Sequence, residues 1–107
     1  MSCNMCYMSG YGISMSDLYD LLTEEAQDMD CFSIVDKMKD DWICGFSSPD
    51  DQYLYIRDIP PYVLSPFKST VDLDLHFFDK LRPYLNSSVE FFDLACLLDD
   101  VFDYEYC

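Results

Sequence analysis

The feature that most constrains this chain is its charge. Twenty-one acidic side chains face six basic ones in 107 residues, which gives a formal net charge of −15. Self-repulsion at that density costs stability, and acidic chains that lack apolar residues stay disordered. Here half of the residues are apolar and 17% are aromatic. We therefore expect a folded core, in a chain whose length fits one domain.

The excess of negative charge indicates a binding function. A net charge of about 2–8 in magnitude is enough to keep a small domain soluble. Seventeen of the acids are Asp and four are Glu, and Asp holds its carboxylate close to the backbone. These acids suit a surface that presents charge at fixed positions to a basic partner. The same field disfavours direct binding of nucleic acid or of an anionic membrane. The competing interpretation is an ordinary solvated acidic face.

The start of the chain predicts an intracellular protein. Residues 1–13 contain no basic segment followed by a long apolar run, as a secretory signal would. No stretch approaches the roughly 20 apolar residues that span a bilayer. Without an export signal, the six cysteines are interpreted as reduced thiols. The predicted location is the cytoplasm.

Hydrophobic periodicity predicts helices in the first part of the domain. Residues 1–13 show no period and are predicted to form a flexible arm, with a single acidic α+β domain over 14–107. Ser16 is a suitable cap for a helix to about Met29, with its apolar side chains at helical spacing. A shorter helix is predicted over 32–39.

The centre of the chain predicts a β-hairpin. Residues 42–46 and 53–57 alternate and are rich in strand formers, and turn residues with two aspartates lie between them. Residues 71–82 fit either a strand or a helix; Ser69 or Thr70 as cap and basic residues at the end favour the helix.

The last predicted element is a helix that opens with a capping box of Ser87 and Glu90 and runs to about Phe102. The predicted fold class is α+β: a β-hairpin, or a three-stranded antiparallel sheet, packed against three or four helices.

The predicted helix ends carry acids where the helix dipole prefers bases. The first helix runs into Asp28 and Asp30, the second into Asp40 and Asp41, and the last into the acidic C-terminal segment. Local rules are most often broken at functional sites. The predicted partner-binding residues fall into four groups. They are the first-helix ridge (Asp17, Asp20, Glu24 and Asp28), the helix-end aspartates Asp40 and Asp41, the turn aspartates Asp50 and Asp51, and the acidic tail (Asp99, Asp100, Asp103, Tyr104 and Glu105).

Catalytic and cofactor motifs are weak, so we expect no enzyme activity, no cofactor and no metal. Cys3 and Cys6 form a CxxC, but a zinc site usually needs a second such pair. Asp72, Asp74 and His76 would share one face of a strand, and this remains the other candidate metal site. Phosphate-binding glycine loops, EF-hand spacing and nucleophile elbows are absent from the sequence.

In size, Asp-rich surface and helix-plus-hairpin organisation the chain resembles the small acidic inhibitors of bacteriophages and mobile elements. These are the anti-restriction, anti-CRISPR and uracil-DNA-glycosylase inhibitor proteins that mimic DNA. The resemblance rests on the first-helix ridge, the hairpin turn and the acidic tail, and it contains no specific motif. It implies inhibition of a nucleic-acid-binding enzyme or effector complex by occupation of its basic DNA or RNA groove.

Two other functions remain open. An acidic adaptor would bind a basic host or virion protein without blocking nucleic acid. A small metal-stabilised module would use Cys3 and Cys6, or Asp72, Asp74 and His76. Homo-oligomerisation is open as well, because tyrosine-rich surfaces also serve self-association.

Overall fold

The computed structural model describes residues 4–58 and 67–106, and it confirms the α+β class. Four strands form one antiparallel sheet in the order β2-β3-β1-β4. The strands are β1 (Met5–Ser14), β2 (Ile43–Ser47), β3 (Gln52–Arg57) and β4 (Asp99–Tyr106). The helices are α1 (Met15–Leu18), α2 (Glu24–Gln27), α3 (Cys31–Met38), α4 (Thr70–Leu81) and α5 (Phe91–Ala95), with short 3-10 turns at Tyr19–Leu21 and Arg82–Tyr84.

The core lies between the helices and one face of the sheet. Ile13 is paired with Leu54, and Ile56 with Ile43, so these four side chains point to the same side. The helices cover them with side chains that are almost fully buried: Leu18, Ile34, Phe77, Leu81 and Leu94. No helix in the described residues is long and apolar enough to cross a membrane.

The hairpin prediction is confirmed, because β2 pairs with β3. The turn between them is held by Ser48, whose hydroxyl accepts hydrogen bonds from the backbone N–H groups of Asp50 and Asp51 at 3.3 and 3.1 Å. The backbone N–H of Ser48 also donates to the carbonyl of Asp51 at 2.8 Å. These bonds fix both aspartates at the tip.

The helical interpretation of residues 70–81 is also confirmed. The Ser69 hydroxyl accepts the backbone N–H of Asp72 at 3.2 Å and caps α4. Helix α3 lies within one residue of its predicted bounds, and Asp30 caps it by accepting the N–H of Ser33 at 2.7 Å. In both helices the cap, the charges and the apolar stripe are local signals that agree with one another.

The prediction of a flexible N-terminal arm is wrong for residues 5–13, which form most of β1 in the middle of the sheet. Gly10 and Gly12 hide the strand pattern, and the packing explains them. A Cβ atom at either position would lie 2.0 Å from a backbone oxygen of β3, that of Ile56 or that of Leu54. Only glycine permits this close approach.

The predicted C-terminal helix over 87–102 is wrong beyond Ala95. Glu90 and Asp93 form the capping box of the short α5, in place of Ser87 and Glu90. From Asp99 onward the chain is strand β4, paired with β1 from Gly12 back to Met5. Aromatic residues alternate with acids in this segment, which is the period of a strand. Pairing with the long strand β1 stabilises the strand in place of the predicted helix.

The predicted first helix is broken into α1, a 3-10 turn and α2. Ser14, in place of Ser16, caps α1 by accepting the N–H of Asp17 at 3.2 Å. Leu22 is extended and forms an isolated bridge with Leu85. Thr23 then caps α2. Tertiary pairing with residues 84–86 overrides a helical propensity that is only a weak preference.

The expectation of reduced thiols is confirmed at three of the six cysteines. Cys31, Cys44 and Cys96 are free thiols. Cys6 is disulfide-bonded, so the expectation is wrong at that position. Cys3 and Cys107 lie outside the described residues.

Candidate partner-binding surface

Almost all of the negative charge is left unpaired. Every acidic and basic side chain of the sequence lies within the described residues. Two contacts between an acidic and a basic side chain are found there, and both involve Asp40: the His76 imidazole lies at 3.0 Å and the Lys80 ammonium at 3.9 Å. The remaining acids have no cation within that distance in this part of the chain, so the surface they form is uncompensated.

The hairpin tip and the start of α1 form one acidic surface. The Ser16 hydroxyl donates to the carboxylate of Asp51 at 2.6 Å, and the same carboxylate accepts the backbone N–H of Gln52 at 2.7 Å. Asp17 follows Ser16, and Asp50 precedes Asp51; both are exposed. Residues far apart in sequence are thereby brought to one place.

Asp103 of β4 belongs to the same surface. Its carboxylate accepts the Tyr53 hydroxyl at 2.9 Å. Burial, this hydrogen bond and the charges of Asp103, Asp51 and Asp50 raise the pKa of Tyr53 to about 12. The N–H of Tyr104 and the hydroxyl of Tyr53 outweigh desolvation and hold the pKa of Asp103 below its usual range. We call Asp17, Asp50, Asp51 and Asp103 the tip cluster.

A groove of about 480 Å³ lies beside the tip cluster, between the α1–α2 region and the hairpin. Hydrogen bonds hold two of its walls: Gln27 donates to the carbonyl of Tyr19 at 3.0 Å, and Gln52 accepts the N–H of Cys31 at 3.0 Å. The lining residues are Met15, Ser16, Tyr19, Gln27, Met29, Asp51 and Gln52. This groove could not be predicted from the sequence, because it depends on the break at Leu22, which brings Tyr19 and Gln27 together.

The four residues of the predicted ridge are all exposed, but they do not form one continuous line. The break at Leu22 places Asp17 and Asp20 on one segment and Glu24 and Asp28 on the next. Asp20 follows Tyr19 and Asp28 lies between Gln27 and Met29 in sequence, so each is a direct neighbour of groove-lining residues. The ridge is therefore divided into two acidic pairs, of which Asp20 and Asp28 adjoin the groove.

Asp40 differs from the other predicted contact residues because its side chain is only 6% exposed. It accepts the backbone N–H groups of Trp42 and Ile43 at 3.0 and 2.9 Å, and both of its oxygens contact His76. Burial raises the pKa of Asp40, but the bonds from His76 and the two N–H groups outweigh it and lower the pKa overall. Its oxygens are thus occupied within the fold, whereas Asp41 is exposed.

The predicted tail residues divide between two places. Asp99 and Asp100 lie near Tyr11, whose hydroxyl donates to Asp74 of α4 at 2.6 Å. Burial, the bond to Asp74 and the charges of Asp99 and Asp100 raise the pKa of Tyr11. Asp74, Asp99 and Asp100 therefore form a second acidic group around Tyr11, where β4 begins beside α4. Tyr104 is exposed and Glu105 is half-buried on the same strand.

The argument from helix ends is wrong for most of its residues. Asp30 caps the start of α3, where an acid is favourable, and Asp40 is bonded within the fold. The tail acids lie on a strand. Several of the aspartates accept nearby backbone N–H groups, which only a short side chain reaches easily: Asp30, Asp40, Asp72, Asp93, Asp99 and Asp103. Local bonding therefore explains part of the preference for Asp over Glu.

No family model, curated protein or solved structure matches this chain.

The three residues considered as a metal site each contact a different partner. They lie on a helix, where Asp72 accepts the N–H of Lys68, Asp74 accepts Tyr11 and His76 contacts Asp40. Among the described residues there is no group of three or more His, Cys, Asp or Glu placed to hold a metal ion.

Proposed function

We propose that this protein inhibits a nucleic-acid-binding enzyme or effector complex, of the anti-CRISPR or anti-restriction type, by occupying its basic groove. The observation that carries the proposal is the tip cluster with its neighbouring groove. The acids there come from three separate parts of the chain, and none has a basic partner.

Fixed negative charge is what a basic groove is built to bind. Duplex DNA presents one charge per roughly 1.7 Å of axis, and a competitor needs comparable density to displace it. Asp51 and Asp103 are each held by two hydrogen bonds. Their carboxylates lose little conformational freedom on binding, which favours affinity.

The groove suits the long side chains that contact phosphates. Arg and Lys have apolar stems with a charged end. Met15 and Met29 offer apolar contact, and the half-exposed ring of Tyr19 offers a face for a cation. The acids beside the groove would then meet the charged end. Aromatic rings at such sites commonly carry much of the binding energy.

Two matched double variants test the proposal. Asp17→Asn with Asp50→Asn neutralises two exposed acids of the tip cluster. Asp36→Asn with Asp79→Asn removes the same charge from exposed positions on α3 and α4. Each variant is added to cleavage reactions of a panel of purified CRISPR effectors and restriction endonucleases on plasmid DNA.

The unmodified chain should inhibit a member of that panel, and the Asp17/Asp50 variant should inhibit it at least about tenfold less, as expected when close charge pairs are lost. The Asp36/Asp79 variant should stay within about threefold of the unmodified chain, since distant charges mainly change the rate of encounter. Equal losses in both variants would mean that total charge matters and the tip cluster does not.

A further inference from the structure

Within the described residues, strand β4 leaves one edge of the sheet open. It is the last strand in the order, and among the described residues only β1 pairs with it. The carbonyl of Ser9 accepts a bond from Asp58, at the end of β3, so the odd-numbered residues of β1 bond towards β3 and the even-numbered ones towards β4. In this register the backbone groups of Asp100, Phe102 and Tyr104 point away from the sheet.

Two of these three outward N–H groups are already satisfied. The N–H of Asp100 donates to the Asp99 carboxylate at 2.8 Å, and that of Tyr104 donates to the Asp103 carboxylate at 2.7 Å. The N–H of Phe102 and the outward carbonyl groups remain for an incoming strand. An open edge of this kind is a template for pairing unless the protein protects it.

An aromatic cluster lies beside this edge, on the face of the sheet that the helices leave uncovered at this end. Tyr7 is 60% exposed, Phe102 64% and Tyr104 46%. The Tyr7 ring stacks on Phe102 with centroids 5.9 Å apart and lies 6.1 Å from that of Tyr104. Grouped exposed rings of this size mark interaction sites more often than scattered ones do.

The other face of β4 is acidic. Side chains alternate along a strand, so Asp99, Asp103 and Glu105 lie with Val101 opposite the aromatic side, and Asp100 is the one acid of β4 on the aromatic side. A strand added at this edge would place its own alternate side chains next to carboxylates on one face and next to rings on the other.

We propose that the edge of β4 binds an extended segment of a partner protein in which basic residues alternate with apolar ones. Its backbone pairs with β4, its basic side chains meet the acidic face, and its apolar side chains pack on Tyr7, Phe102 and Tyr104. The acidic face shares Asp103 with the tip cluster, but the proposal does not depend on an inhibitory function of that cluster, and its test substitutes only Phe102.

Charge disfavours the binding of a second copy of this chain to the edge of β4. An antiparallel pair of β4 strands centred on Phe102 would place Asp99 of one opposite Glu105 of the other, at both ends. Like charges directly across a sheet are destabilising, and each chain carries −15 overall. The same charge attracts a basic segment.

The test uses a fluorescent peptide of alternating Arg and Val, as long as β4, with binding to the full chain measured by anisotropy at physiological salt. One control peptide has the same sequence with two adjacent central amides N-methylated, which keeps the charge and blocks both edges. Another replaces Arg with Glu. On the protein, Phe102→Pro blocks the outward N–H without removing a bond to β1, and Phe102→Thr removes only the ring.

The Arg–Val peptide should bind, and both backbone methylation and Phe102→Pro should weaken it by at least about tenfold, since several hydrogen bonds are lost. Phe102→Thr should weaken it less, and the Glu peptide should not bind. The Phe102 amide should gain protection from hydrogen exchange on binding. Equal affinity for the methylated peptide, or no binding of the Arg–Val peptide, would overturn the proposal. So would a dimer that Phe102→Pro dissociates.

Discussion

Asp40→Ala tests the most strongly bonded carboxylate of the molecule. The substitution removes the acceptor of the Trp42 and Ile43 N–H groups and the partner of His76. These contacts join the end of α3, the start of β2 and the middle of α4. We therefore expect a loss of stability, because Asp40 is bonded within the fold, unlike the exposed and unpaired acids of the surface.

The size of the loss follows from the contacts. Each buried N–H left without an acceptor costs about 1–3 kcal/mol. The Lys80 ammonium lies 3.9 Å away and is 38% exposed, so its pairing contributes little in water. Together these give a loss of about 2–6 kcal/mol in the free energy of unfolding, which corresponds to a fall in Tm of roughly 10–30 °C for a domain of this size. Asp40→Asn keeps an acceptor oxygen and should lose about half as much.

The assay is thermal and urea unfolding followed by circular dichroism, with Asp41→Ala as the matched control because Asp41 is exposed. Since the pKa of Asp40 is lowered in the fold, its contribution is present above the unfolded pKa of about 3.9 and is lost as the pH falls through the lower folded value. The difference in the free energy of unfolding between the unmodified chain and Asp40→Asn should therefore become smaller in acid. A loss below about 1 kcal/mol for Asp40→Ala, or one equal to that of Asp41→Ala, would refute this reasoning.

Three further substitutions test the fold. The pKa of Tyr53 is raised to about 12, so the free energy of unfolding should fall as the pH rises from about 10 towards 12, because the unfolded tyrosine ionises first. Tyr53→Phe should make this fall smaller and should remove a late step from the tyrosinate absorbance titration. An unchanged titration would contradict the raised pKa. Gly10→Ala places a Cβ 2.0 Å from the Ile56 oxygen and should destabilise the chain by about 1–3 kcal/mol or more in urea unfolding, whereas a neutral effect would contradict the close approach of β1 and β3. Ser69→Ala removes the cap of α4 and should lower the free energy of unfolding by about 1 kcal/mol, measured by thermal unfolding. Ser69→Thr keeps a hydroxyl and should be close to neutral. Equal losses for both substitutions would mean that the hydroxyl does not act as the cap.

The elements that could be predicted are those whose signals are local. The hairpin follows from alternation on both sides of a turn, and α4 from a serine cap, an early acid and a late lysine. Strands β1 and β4 could not be predicted, because each is stabilised mainly by pairing with the other across more than 80 residues of sequence. The glycines of β1 look like breakers until the close approach of β3 is known.

The candidate site could be predicted in composition but not in arrangement. The exposed acids Asp17 and Asp50 were identified from charge alone, yet their proximity depends on the bond between Ser16 and Asp51. Asp40 was predicted as a surface residue because its partner His76 is distant in sequence. Pairings of this kind are set by tertiary structure, which composition and periodicity do not encode.

The most direct test of the central proposal is displacement by DNA. The tagged chain is incubated with a lysate of the native host, and the captured proteins are eluted with a short DNA duplex and, separately, with a salt series. The account predicts that an enzyme or effector that binds nucleic acid is captured, is released by the duplex at constant salt, and is not captured by the Asp17/Asp50 variant. A specific partner that a saturating amount of duplex leaves in place would contradict groove occupation and would favour the adaptor function.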